Sequence, residues 1–297
     1  MGDHCGLFRA KVAKIRQGSQ RLKLVNMRWL PALVCLVSAG QELPRDQFVQ
    51  ANGVRLHFLD WGGKGEALLF LTSLGGSAGD FHSLATSFTS KFHVLGLTRR
   101  GQGSSDKPES GYDNATLVED IQSFLNEKRI RSVTLVGYSM AGNELTEFAG
   151  LYPRQVAGLV YLDAAYDLAR NKELGRLAGL ELKLPGIDHA MSQLIARSDE
   201  YRPNYSQVTA PALGFFVTYD QAPKPSSFWD DATNAILAAF WVYHGKAYRR
   251  EQLERFRNEV KHSRVVELHN TTHAGFVSDP VQQKILVREM RLFFESR

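Results

Sequence analysis

The sequence predicts an α/β protein: a mostly parallel open sheet of about eight strands, helices on both faces and a small helical cap insertion. Three observations carry that expectation. Continuous apolar runs such as Ala67-Leu68-Leu69-Phe70-Leu71-Thr72 and Val156-Ala157-Gly158-Leu159-Val160-Tyr161-Leu162 alternate with helical stretches, and such runs suit strands covered on both faces. The strand-like Val133-Thr134-Leu135-Val136 leads through Gly137-Tyr138-Ser139-Met140-Ala141-Gly142 into a helix reaching about Leu151. The alternation then pauses between about Ala164 and Gln207, where two helical segments are separated by Pro185-Gly186. The pause reads as the cap, above the carboxyl ends of the strands.

The chain of 297 residues, 43% hydrophobic and 23% charged, suffices for one large or two small domains. Residues 1–40 read as a leader and 41–297 as the folded body. The leader carries seven bases (Arg9, Lys11, Lys14, Arg16, Arg21, Lys23, Arg28) against Asp3. It continues with the apolar Trp29-Leu30-Pro31-Ala32-Leu33-Val34-Cys35-Leu36-Val37 and the small residues Ser38-Ala39-Gly40. This order fits a signal peptide cut after Ala39, an N-terminal anchor, or a non-exported tail, and it favours export over retention in the cytoplasm. Met27 offers an alternative start with a compact basic region. The apolar run falls short of the roughly 20 residues of a stable membrane span, so no such span is expected.

Both cysteines, Cys5 and Cys35, fall in the leader, so the body has neither a disulfide nor a cysteine nucleophile. The 36 Lys and Arg against 31 Asp and Glu likewise owe their excess to the leader, and the body is close to neutral. That argues against a nucleic-acid partner, which would require a basic face. A small-molecule substrate is the expected partner.

Along the body, Gln47–Gln50 and Val54–Asp60 flank Asn52-Gly53 and read as a hairpin. Ser73-Leu74-Gly75-Gly76-Ser77-Ala78-Gly79 follows a buried strand without the lysine of a phosphate loop. It reads as backbone held near the serine, with an N–H for an oxyanion. Phe81 to about Thr89 is a helix and Phe92–Thr98 a strand. Arg99 and Arg100 then open a turn-rich loop, either as structural hydrogen-bond donors or as a clamp for an anionic substrate. Thr116-Leu117-Val118-Glu119 reads as a capping box before a helix to about Lys128. Beyond the cap, Pro211–Val217 resumes the sheet, Ala232–Glu259 is largely helical, Val265–Leu268 is a last strand, and Pro280 opens a closing helix through Phe294.

The strand–serine–helix stretch carries the chemistry. Small residues at 137 and 141 permit a tight turn that lifts the Ser139 hydroxyl above the sheet, over the free N–H groups of the helix that follows. The competing reading is an ordinary strand-to-helix turn with a serine near the cap. Acyl transfer also needs a histidine to take the serine proton and a carboxylate to orient the histidine. His273 and either Asp220 or Asp163 lie on loops after successive strands, where ligands bind in open parallel sheets. His269 abuts its strand too closely to compete.

These motifs resemble the alpha/beta-hydrolase superfamily over roughly Phe48 to Phe294, in its single-domain serine-hydrolase form with a small helical cap. The family elbow matches residues 137–142, with Ala141 where a glycine is usual. The family acid lies nine residues beyond the proline of its strand, and from Pro211 that count reaches Asp220. Asp163 occupies a place where some relatives carry an alternative acid. The histidine stands seven residues before a proline, as His273 does before Pro280. The resemblance thus implies catalytic Ser139, Asp220 and His273, with Asp163 the alternative acid and the backbone N–H groups of Leu74 and Met140 as the oxyanion hole. It departs in two loops: Thr72-Ser73 stands where His-Gly is usual, and Thr98-Arg99-Arg100-Gly101-Gln102-Gly103 where Asp-x-Arg-Gly-x-Gly is usual.

The expected activity is hydrolysis of a carboxylic ester or related acyl bond in a small to medium apolar substrate, with no metal or organic cofactor. Leu174, Leu177, Leu180 and Leu184 of the cap, with Phe240, Trp241 and Tyr243, are expected to line the apolar pocket. The alternatives are a non-catalytic ligand-binding protein on the same fold and a cofactor-free oxygenase.

Overall fold

The computed structural model describes residues 43–177, 187–219, 221–222 and 230–297. The leader, Asp220, and Leu180 and Leu184 of the cap lie outside the described residues. Eight strands form a single sheet: β1 (Arg45–Ala51), β2 (Val54–Gly62), β3 (Ala67–Leu71), β4 (His93–Leu97), β5 (Val133–Tyr138), β6 (Val156–Leu162), β7 (Ala212–Val217) and β8 (Ser263–Leu268). Their order is β1-β2-β4-β3-β5-β6-β7-β8. The first two pairings are antiparallel and the rest parallel. At the β1–β2 hairpin Asn52 and Gly53 take φ of 48° and 77°, the left-handed pair that a two-residue turn requires.

Alternation within each strand divides the core between two faces. Leu69, Leu71, Leu95, Leu135 and Leu159 pack on one side with Val118, Phe124, Leu145 and Phe148. Leu68, Phe70, Val136, Val160 and Phe215 pack on the other with Leu286, Met290 and Phe293. Full burial of such side chains contributes about 1.5–3 kcal/mol each, which explains why the central strands read as unbroken apolar runs rather than alternating ones.

The helices are α1 (His82–Ala85), α2 (Asn114–Glu127), α3 (Ala141–Leu151), α4 (Leu168–Leu177), α5 (His189–Ser198), α6 (Asp231–Phe240), α7 (Lys246–Glu259) and α8 (Pro280–Glu295). Where one helix was expected from Phe81, α1 is a short α-turn between 3₁₀ segments Ala78–Phe81 and Thr86–Phe88. Helix α2 also begins earlier than expected. Its N-cap is Asp113, whose carboxylate accepts from the Thr116 N–H at 2.9 Å, so Thr116 lies inside the first turn rather than capping it. The stretch expected to be helical from 232 to 259 is α6 and α7 joined by a π-helical turn, Trp241–Gly245.

Between β6 and β7 come α4, α5 and a 3₁₀ turn, Tyr205–Gln207. Of the four expected pocket leucines, the two described ones, Leu174 and Leu177, are not among the residues clustered at the elbow. Leu174 packs against the core and Leu177 is exposed. Tyr243, beyond α6, is exposed as well. Instead Ala190 and Leu194 of α5 cluster with Met140, Tyr112 and Leu117, and Leu74 packs against that group.

Helix α3 lies so close to the turn after β6 that a Cβ at Gly142 would sit 1.8 Å from the Ala164 carbonyl oxygen. Gly142→Ala is therefore expected to destabilise the protein by about 3 kcal/mol, the upper end of ordinary overpacking. Gly79→Ala, where the new methyl would lie 3.5 Å from its nearest neighbour, should cost under about 1 kcal/mol. Urea unfolding of the two variants checks this, and equal midpoints would contradict it.

Candidate active site

Ser139 sits between the last residue of β5 and the N-terminus of α3, with φ of 58°. A non-glycine residue seldom adopts that conformation, and it is kept only where the surroundings enforce it. The enforcement comes from both sides. The Ser139 N–H donates to the Leu162 carbonyl at 3.2 Å, and the Ser139 carbonyl accepts from the Gly142 N–H at 3.0 Å. Gly137 is required because a Cβ there would meet the Leu145 methyl group at 2.6 Å. The turn thus depends on close packing of α3 against β5, and the hydroxyl is the part left free to project.

His273, between β8 and α8, reaches the serine: Nε2 lies 2.8 Å from Ser139 Oγ. Its Nδ1 lies 2.6 Å from Asp163 Oδ2. An ionised carboxylate only accepts hydrogen bonds, so Nδ1 carries the ring proton and Nε2 is left to accept from the serine hydroxyl. Two tyrosines hold the histidine backbone. The His273 N–H donates to the Tyr219 hydroxyl at 2.7 Å, and the Tyr138 hydroxyl donates to the His273 carbonyl at 2.5 Å. Burial, reinforced by the charge of Asp163, pushes the Tyr138 phenol up to about 12, so it stays a donor at neutral pH.

Among the described residues, the carboxylate in contact with His273 is Asp163, the alternative acid of the sequence reading. Asp220 lies outside the described residues. Asp163 directly follows β6 with φ of 47° and is 0% exposed. Besides His273, its Oδ1 accepts from the Val217 N–H at 2.9 Å, from the Tyr166 hydroxyl, and from Arg249 Nη1 at 3.2 Å. Burial alone would raise its pKa. The Arg249 charge and the bonds from His273 and Tyr166 outweigh burial and hold it below the ordinary carboxylate range. None of these partners was identified in the sequence. Tyr166 stands three residues past Asp163, a weak local signal, whereas Arg249 is 86 positions away on α7 and had none.

Arg99 and Arg100 are structural. Arg99 is 5% exposed and pairs with buried Glu144 of α3 through Nε at 2.7 Å, while its Nη1 approaches the Ser73 carbonyl at 3.4 Å. With its amide oriented to satisfy the network, Gln102 donates to the Ser73 and Gly76 carbonyls at 2.9 and 3.0 Å. Arg100, 4% exposed, pairs with Asp120 through Nε at 2.6 Å. Breaking such a buried pair costs about 3–5 kcal/mol, so neither side chain is available to clamp a substrate. Arg99 and Gln102 hold the loop carrying Leu74, whose side chain packs against the cluster of Met140, the N-cap of α3. Among the described residues, no three His, Cys, Asp or Glu side chains gather as a metal site, and no helix is long and apolar enough to cross a membrane.

Because Asp163 titrates below its unfolded value of about 3.9, its ionisation stabilises the fold above that pH, and this contribution is lost as pH falls through the lower folded value. Asp163→Asn is expected to destabilise the protein by about 3–5 kcal/mol at pH 7 and by less at pH 3. Urea unfolding at the two pH values tests this, and a difference independent of pH would contradict it.

A family model described as alpha/beta hydrolase fold matches residues 66–186. A 2-(acetamidomethylene)succinate hydrolase of Mesorhizobium japonicum is 29% identical over 176 residues, 59% of this chain and 62% of that protein. An uncharacterized protein of Mycobacterium tuberculosis is 29% identical over 121 residues, 41% of this chain, and the match spans only 35% of that protein's length. Among solved structures, E-2-(acetamidomethylene)succinate hydrolase superposes with a TM-score of 0.60 at 19% identity, covering 85% of this chain and 99% of that one. A membrane phospholipase A superposes with a TM-score of 0.58 at 20% identity, covering 85% and 86%. The sheet order, the matched segment 66–186 and these superpositions agree on the alpha/beta-hydrolase fold for this chain.

Proposed function

We propose that the protein is a serine hydrolase cleaving a carboxylic ester or related acyl bond in a small to medium, largely apolar substrate. The observation that carries this reading is the continuous hydrogen-bonded chain from Ser139 Oγ through His273 to Asp163, with spacings of 2.8 and 2.6 Å. A non-catalytic binding protein would have no use for a strained serine in contact with a histidine of fixed tautomer.

In the proposed reaction, Ser139 Oγ attacks the acyl carbonyl as His273 Nε2 takes its proton. Asp163 keeps the ring proton on Nδ1 and stabilises the imidazolium that forms. The carbonyl oxygen, now an anion, accepts from the backbone N–H groups of Leu74 and Met140. His273 then gives its proton to the leaving group. Water, deprotonated by the same nitrogen, releases the acid and regenerates the serine. No metal or organic cofactor enters these steps. The cluster of Leu74, Met140, Ala190 and Leu194 supports an apolar acyl or alcohol group beside the serine. The similarity to the Mesorhizobium 2-(acetamidomethylene)succinate hydrolase supports an amide substrate as the second reading.

Ser139→Ala is expected to abolish both fluorophosphonate labelling and ester hydrolysis without altering the circular dichroism spectrum. Label retained at the wild-type rate would move the nucleophile elsewhere. Asp163→Asn is expected to lower turnover by about 10⁴-fold, as loss of the orienting acid does in other triads, while Asp220→Asn stays within about tenfold of wild type. Steady-state rates with a short-chain nitrophenyl ester decide, and the reverse ranking would restore Asp220 as the acid.

A further inference from the structure

A cavity of about 310 Å³ opens beside α7, with walls formed by Tyr166, Phe216, Tyr219, Trp241, Lys246 and Arg249. Neither Ser139 nor His273 lines it. Its volume lies at the lower end of the roughly 300–1,000 Å³ of small-molecule sites. The wall is built rather than incidental. Trp241 starts the π-helical turn and packs edge-on to Tyr219 at 5.0 Å between ring centres. A Cβ on Gly245 would come within 2.5 Å of the Trp241 ring, so the glycine is what lets the indole fold back along its own helix. Such π turns recur at functional sites.

The charges around the cavity select the sign of a ligand. Arg250 is paired with Glu267 at 3.3 Å and with Glu254 at 3.5 Å, and His269 Nδ1 lies 3.2 Å from the Thr218 hydroxyl. Arg249 is balanced by Asp163. Lys246, exposed at the start of α7, forms no ion pair among the described residues. Among the described residues the cavity therefore keeps one positive charge without an ion-pair partner over aromatic walls. Arg249 also has capacity to spare. Nη1 makes its bonds to Asp163, Tyr166 and Val217, whereas a guanidinium has five N–H donors. Those on Nε and Nη2 bond no other group among the described residues.

We propose that this cavity is a second binding site, for a small amphipathic monocarboxylate. Its ring or chain lies against Tyr219 and Trp241, and its carboxylate bridges Lys246 and the spare donors of Arg249. A dianion would leave one charge without a partner, and a neutral molecule would forgo both cations. The proposed ligand contacts involve neither Ser139 nor His273, so the binding test reads this site apart from the serine-hydrolase reading, although Tyr219 and Arg249 also bond His273 and Asp163.

Calorimetric titration of the full-length protein with 4-phenylbutyrate tests this, alongside the neutral 4-phenylbutyramide and the variants Lys246→Gln and Trp241→Ala. Neither variant removes a buried side chain, and the unfolding midpoint of each checks that the fold is kept. The expected result is binding of the acid below millimolar, at least about tenfold weaker for the amide and for each variant, a difference of about 1.4 kcal/mol. The proposal is overturned if the acid does not bind at millimolar concentration, if the amide binds as tightly, or if either variant keeps the wild-type affinity.

Discussion

The Asp163 carboxylate, 0% exposed at the end of β6, is the point on which the rest of the site depends. Its two oxygens accept from Val217 on β7, Tyr166 after β6, Arg249 on α7 and His273 between β8 and α8. A buried charge is tolerated only when paired and fully hydrogen-bonded, and this one draws four separate elements together to meet that demand. Because one of its partners is His273 Nδ1, the same network fixes the imidazole that faces Ser139. Stability and orientation of the site are thus served by one set of bonds.

A second set of constraints acts on the other participants. The Ser139 backbone is held in its left-handed conformation by bonds to Leu162 and Gly142, and that geometry requires the glycines at 137 and 142. The His273 backbone is gripped by Tyr138 and Tyr219. The loop bearing Leu74 is tied to α3 through Arg99 and Glu144. Each group assigned a substrate contact in the proposed reaction is therefore held by partners that have none, which would leave little reorganisation for that reaction.

Much of this was legible in the sequence because it is written locally. Apolar runs long enough for a doubly covered strand marked β3, β5, β6 and β7. Small residues around Ser139 marked the elbow, and Pro280 marked α8. The acid was not local. Counting nine residues from Pro211 points to Asp220, which lies outside the described residues, while the contact of Asp163 with His273 across 110 positions is set by how β6, β7 and α7 meet. For Arg99 and Arg100 the sequence left a structural role and a substrate clamp both open, because their partners, Glu144 and Asp120, are 45 and 20 residues distant. Leu174 and Leu177 do not join the elbow cluster for a related reason: helical spacing identifies a face, but not what that face packs against.

The most direct test of the account is the proton NMR signal of the His273 Nδ1–H, which a short bond to a buried carboxylate shifts strongly downfield and protects from exchange with water. It should be present in the wild-type protein and in Asp220→Asn, and absent in Asp163→Asn. A signal that survives in Asp163→Asn and disappears in Asp220→Asn would contradict the account at its centre.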